Sequence, residues 1–187
     1  MLCAALAGCL PTTDTVADSL SQSRDRVILV GSFEITPKIE QRFSGRSSLF
    51  GTAEEFAGDR IITGFIPSGT TVTKTIFSTP FAGATHSVPL DDLYFIEVPR
   101  TAIVLKDSQY LLSDAGVDDI RLPGGLFSTS SPTAQVVYVG TVRFARDDFY
   151  AITDVRVIDR YAQAAIAVRS RYGANVTIAK ALWQTGR

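Results

Sequence analysis

Thiols and imidazoles are nearly missing from this sequence. Its 187 residues hold two cysteines, Cys3 and Cys9, one histidine, His86, and one methionine, Met1. Both cysteines fall at the extreme N-terminus, so the body of the chain has no thiol and a single imidazole. A Cys/His zinc site cannot be assembled there, nor a disulfide, nor a cysteine nucleophile. An excess of one charge is also lacking. Eighteen Lys and Arg stand against nineteen Asp and Glu, a net charge of −1, which is not the basic balance of a general nucleic-acid binder. No Gly-x-x-x-x-Gly-Lys-Ser/Thr loop and no Gly-x-Ser-x-Gly elbow occurs, so neither a phosphate-binding loop nor a hydrolase nucleophile is marked. No cofactor and no metal site are expected. What is present is a chain 45% hydrophobic and 20% charged, the composition of a folded protein. Its length suits one domain with a tail.

The first nine residues, Met1-Leu2-Cys3-Ala4-Ala5-Leu6-Ala7-Gly8-Cys9, are wholly apolar, and a polar run follows at once. An apolar stretch that ends in small residues and yields to a polar linker reads as a targeting segment. It is far too short to cross a bilayer, which takes about 20 apolar residues. Residues 10–25, rich in Thr, Ser, Asp and Gln, read as a flexible tether reaching about 50 Å when extended. The expected organisation is a signal-peptide remnant over 1–8, a tether over 9–25 and a single β-rich domain over 26–187.

Leu6-Ala7-Gly8-Cys9 resembles the bacterial lipobox at all four positions. The resemblance implies that a diacylglycerol is attached to the sulfur of Cys9 and that cleavage falls before it. The new amino group then takes a further acyl chain such as palmitate. The chemistry needs a thiol because sulfur is the nucleophile. Two or three chains would hold the protein on a membrane, since each buried methylene contributes about 0.8 kcal/mol. Leu10 stands where enterobacterial lipoproteins retained at the inner membrane carry Asp, so the resemblance points to the outer membrane, facing the periplasm. No Lys or Arg precedes Cys9. The expectation is therefore a leader that begins upstream of Met1 or is clipped here.

Beyond the tether the pattern turns to strands. Val27–Ile35, Arg60–Ile66, Thr71–Phe77, Leu93–Val98, Thr101–Lys106 and Tyr110–Leu112 are β-branched or alternating runs bounded by turn residues. Ala53–Ala57 suits one helical turn, and Ser113–Pro132 reads as loop. Val136–Phe144 and Phe149–Val157 predict a hairpin turning at Arg146-Asp147-Asp148. One helix is predicted over Arg160–Tyr172, with Asp159 as N-cap, Tyr161, Ala165, Val168 and Tyr172 as its apolar stripe, and Gly173 at its end. Val176–Trp183 reads as a last strand. The sum is a mainly β fold, a β-sandwich or small barrel with one C-terminal helix packed on it. Gly31 and Gly140 sit in two similar strands, each suited to close backbone approach. Taken with the lipobox and the Asp-capped helix, this pattern is similar to small bacterial lipoproteins with β-sandwich bodies.

Chemistry-bearing constellations are thin. His86 lies in Ala84-Thr85-His86-Ser87 and reads as a surface-loop histidine. A partner in Asp91 or Asp92 would be needed for triad chemistry. Acidic pairs occur at Glu54-Glu55, Asp91-Asp92, Asp118-Asp119 and Asp147-Asp148. They read as solvated turns, with calcium at Asp114, Asp118 and Asp119 as the sharper alternative. Arg156, Arg160, Arg169 and Arg171 read as a solvated face. Phe33, Phe65, Phe77, Phe95, Tyr138 and Phe144 read as core, whereas Phe50, Phe56 and Phe81 would be informative if exposed. The leading expectation is a non-enzymatic envelope lipoprotein. Its partners are the lipid bilayer through acylated Cys9 and an envelope protein or peptidoglycan, with no nucleic acid. The alternative is an envelope-polymer hydrolase working through a carboxylate pair about 5–10 Å apart.

Overall fold

The computed structural model describes residues 17–39, 60–69, 85–111, 119–128 and 133–185. Along them run β1 (Arg26–Thr36), β2 (Arg60–Pro67), β3 (Thr85–Pro89), β4 (Leu93–Pro99), β5 (Ile103–Leu105) and β6 (Ser108–Leu111). Then follow β7 (Asp119–Leu122), β8 (Leu126–Ser128), β9 (Val136–Arg146), β10 (Ile152–Ile158), α1 (Tyr161–Tyr172), β11 (Ile178–Lys180) and β12 (Gln184–Thr185). One sheet has the order β10-β9-β1-β4, with β11 also pairing β9. The other has the order β12-β8-β5-β2-β6-β7, with β3 also pairing β2.

The unbroken apolar runs of β1 and β9 follow from their place at the centre of the first sheet. Both faces of that sheet are covered, so alternation is not required of them. On β1, Val27, Leu29, Phe33 and Ile35 point into the core between the sheets. Ile28 and Val30 point the other way, into a second core under α1. The layers are therefore sheet, sheet and helix, as the mainly β reading with one packed helix expects.

β1 and β9 pair in parallel, and their glycines meet: Gly31 lies opposite Gly140. The register slips by one residue just before this pair. Gly140 has φ 97°, a left-handed value that glycine adopts without strain. The slip inverts the phase of β9. Val137 and Val139 face the inter-sheet core before it, and Val142 and Phe144 after it.

The predicted hairpin forms, with β9 and β10 antiparallel. The helix forms too, burying Ala164, Ala165 and Val168. Tyr161 meets Tyr138 edge-on at 5.8 Å and Tyr172 meets Phe95 at 6.0 Å. Gly173, at φ 97°, closes the helix by donating its N–H to the Arg169 carbonyl at 2.9 Å. The cap differs from expectation. Arg160 is the N-cap residue, and Asp159 supports the start from one position earlier, accepting the Tyr161 N–H at 2.9 Å. Of the tail read as one strand over Val176–Trp183, only Ile178–Lys180 is strand, as β11, and a further strand, β12, follows it.

Two further readings are corrected. The stretch taken as loop contains β7 and β8. Their four and three residues are too short to show a period, yet Ile120, Leu122 and Leu126 are core residues. Pro123-Gly124-Gly125 forms only the turn between them, with Gly125 at φ 77°. His86 is not on a surface loop. It sits in β3 opposite Thr63 of β2, is 8% exposed, and lies 5.7 Å from the Phe65 ring. The readings at Ala53–Ala57, Thr71–Phe77, Glu54-Glu55, Asp114, Asp118, Phe50, Phe56 and Phe81 lie outside the described residues.

Candidate functional site

The motif Leu6, Ala7, Gly8 and Cys9 also lies outside the described residues. Ala17, the first described residue, is attached to the body. The Ala17 N–H donates to the Phe95 carbonyl of β4 at 2.8 Å. The Ala17 carbonyl accepts the Tyr172 hydroxyl at 2.5 Å. Arg171 pairs with Asp18 at 2.8 Å and stands 4.9 Å over the Phe95 ring. Ala17 and Leu20 pack on the core beneath α1. The tether reading extended to residue 25. Its last nine residues, from Ala17, lie against the body, because their apolar side chains and backbone groups find partners there.

The far end of this segment is held by Arg100. Its Nε, Nη1 and Nη2 donate to the carbonyls of Arg24, Ala134 and Arg26 at 2.7, 2.6 and 2.9 Å. Its own N–H donates to the Asp25 carbonyl at 2.7 Å. A planar fork of donors suits this convergence of carbonyls. Nothing in the local pattern around Arg100 marks it, since its partners are 34 to 76 residues away.

On the helix side of the first sheet lies a polar layer. Ser32 and Thr141 bond through their hydroxyls at 2.7 Å, fully inside the protein. One step along, Glu34 of β1 lies opposite Arg143 of β9. Arg143 Nη2 reaches one carboxylate oxygen at 2.9 Å, and Arg160 pairs with the other. The Tyr138 hydroxyl accepts the Arg160 N–H at 2.7 Å, and burial raises its pKa. With both oxygens of Glu34 engaged by guanidinium groups, this cluster seats the start of α1 on the sheet.

The arginines read as one face therefore do separate work. Arg160 holds Glu34, Arg171 holds Asp18, and Arg156 pairs with Asp154 of its own strand. The described acidic pairs build turns. Asp91, at φ 62°, pairs with Lys38 at 2.9 Å, and Asp92 accepts the Leu93 N–H. Asp147 accepts the N–H groups of Phe149 and Ala151, both at 2.9 Å. Among the described residues, no group of three His, Cys, Asp or Glu is placed to hold a metal ion. A recess of about 10 Å³ between the sheets, lined by Val27, Leu29, Ile103 and Val137 among others, has room for one water. Among the described residues, no helix is long and apolar enough to cross a membrane.

Two buried groups stand out. The Tyr94 hydroxyl and the Trp183 indole N–H lie in the inter-sheet core, and neither makes a hydrogen bond. The indole lies near enough to favour the phenolate, but burial dominates and drives the Tyr94 pKa far up. Burial also lowers the pKa of His86. Its folded-state value then lies below the unfolded value of about 6.5, so the associated stability is complete above that pH and is lost as pH falls through it. The urea midpoint is expected to drop between about pH 7.5 and about pH 5.5. The drop should be smaller in His86→Gln, and an equal drop would remove the assignment.

No protein-family model matches the chain, and comparisons with curated proteins and with solved structures find no match.

Proposed function

We propose that this chain is a membrane-anchored bacterial lipoprotein whose β-sandwich body serves as a non-enzymatic binding or structural component of the cell envelope. The observation that carries the reading is Leu6-Ala7-Gly8-Cys9, a full lipobox match standing directly before a polar run. Leu10 favours the outer membrane. Among the described residues, the carboxylates of Asp91 and Asp147 are engaged at turns and that of Glu34 by two arginines.

The test is the intact mass of native protein expressed from its own upstream region, beside Cys9→Ser, after detergent phase separation. A mass increase of lipid size and partition into detergent are expected, both lost in the variant. An unmodified chain in the aqueous phase would overturn the reading.

A further inference from the structure

We infer that two copies of this chain pair edge to edge through β10, antiparallel about a two-fold axis at Val155, so that their first sheets join into one. The inference goes beyond the lipoprotein reading and stands whether or not Cys9 carries lipid.

β10 ends the first sheet, and its inner side is taken by β9. Among the described residues, no backbone hydrogen bond reaches it from the outer side. One contact fixes the direction of its backbone groups. The Ile158 carbonyl oxygen lies 3.4 Å from where a Cβ on Gly140 would stand, so it is turned toward β9. Successive residues of a strand turn their N–H and C=O groups to opposite sides. From Asp154 to Ile158 the register with β9 is regular. Asp154 and Arg156 therefore also face β9, and Val155 and Val157 offer their groups outward. Such an unpaired row is a template for another strand. The usual protections are thin: β10 holds no Pro and no Lys, and its bulge stands at one end, between Ile152 and Asp154.

The order of the side chains selects a second copy as the partner. Asp154 and Arg156 flank Val155. When the strand pairs antiparallel with itself about Val155, each Asp154 comes opposite the second copy's Arg156, and each Arg156 opposite its Asp154. Moving the axis one residue either way sets Asp154 against Asp154 or Arg156 against Arg156, so the charges fix the register as well. Within the chain Arg156 lies opposite Arg143, an unfavourable like-charge neighbour, and it pairs only with Asp154 of its own strand. The second copy brings a carboxylate to its other side. The side chains of Arg156 and Asp154 are 77% and 45% exposed, open to that approach. On the other face Val155 and Val157 pack half-buried at the rim of the inter-sheet core, where the second copy's Val155 would lie beside them.

The test uses the full chain with Cys9→Ser, in reducing buffer. Sedimentation equilibrium is run from about 10 μM to about 1 mM, a range that reads a Kd of about 100 μM. A monomer–dimer equilibrium is expected. Asp154→Arg and Arg156→Asp should each weaken it at least about tenfold, because the axis doubles every charge reversal. Mixed in equal amounts, the two variants should recover dimer, since one chain is then basic and the other acidic at both positions. That recovery cannot come from the pair within one strand, which both variants have lost. Amide exchange gives a second readout. The Val155 amide should exchange more slowly as protein concentration rises, and the Arg156 amide, turned to β9 in either state, should not change. A monomer across the whole range overturns the inference, as does a dimer that the reversals leave intact or that mixing fails to restore. A Val155 amide protected equally at every concentration also overturns it, because another part of the chain then covers the edge.

Discussion

Replacing Arg100 with alanine is expected to lower the unfolding free energy by about 3–5 kcal/mol, read as a fall in the urea midpoint at unchanged slope. The guanidinium joins three carbonyls, from Arg24 just before β1, from Arg26 at the start of β1 and from Ala134 before β9. Hydrogen bonds to a charged donor contribute about 1.5–3 kcal/mol each. The Arg24 contact is exposed and stands at the low end, whereas the other two are partly buried. Arg100→Lys should recover little, because an ammonium on a flexible stem cannot meet carbonyls in three directions. A loss below about 1 kcal/mol in the alanine variant would show that water replaces the guanidinium without strain.

Gly31→Ala is expected to be comparably severe, losing about 3 kcal/mol or more. A Cβ there would lie 2.4 Å from the Tyr94 hydroxyl oxygen and 2.8 Å from the Gly140 carbonyl oxygen. The second contact is backbone in the centre of a sheet and cannot swing aside. Tyr94→Phe removes the hydroxyl contact alone, since the ring Cζ would still lie 2.8 Å from the Cβ. Alone it removes a buried hydroxyl that makes no hydrogen bond, so it should be neutral or slightly stabilising. Combined with Gly31→Ala it should return part of the loss, leaving the 2.8 Å approaches to the Gly140 carbonyl oxygen and to the ring Cζ, which phenylalanine keeps. A double-mutant cycle by urea denaturation reads the coupling. Full rescue, or none, would contradict this account.

These two sites differ in how far the sequence announces them. Gly31 and Gly140 interrupt two otherwise apolar strands of similar pattern, and they prove to be direct neighbours. Aligning the two glycines also sets the register, which places Glu34 opposite Arg143 three residues on. That ion pair was legible in principle from the resemblance of the strands. Arg100 was not legible, because it answers to the ends of two distant segments and to no periodicity. His86 was misread for a related reason. Its neighbours Thr85 and Ser87 are polar, but a strand of five residues buries every second side chain, and the local composition hides that alternation. β7 and β8 are not legible because three or four residues hold at most two periods of a strand. The docking of Ala17 was hidden by the polarity of the segment, since its fastening is mostly through backbone atoms that every residue carries.

The parallel pairing of β1 with β9 also bears on when the fold can form. Ser32 and Thr141 touch at a separation of 109 residues, and this central pair joins the two cores. A strand near the start of the chain must wait for one near its end before the first sheet has a middle. Such distant pairing slows folding, because the loop entropy is lost before the contacts are gained. An incomplete chain lacks the strand against which β1 is buried. Until β9 is made, β1 has only β4 beside it, and the first sheet closes over both cores when β9 takes its place between β1 and β10.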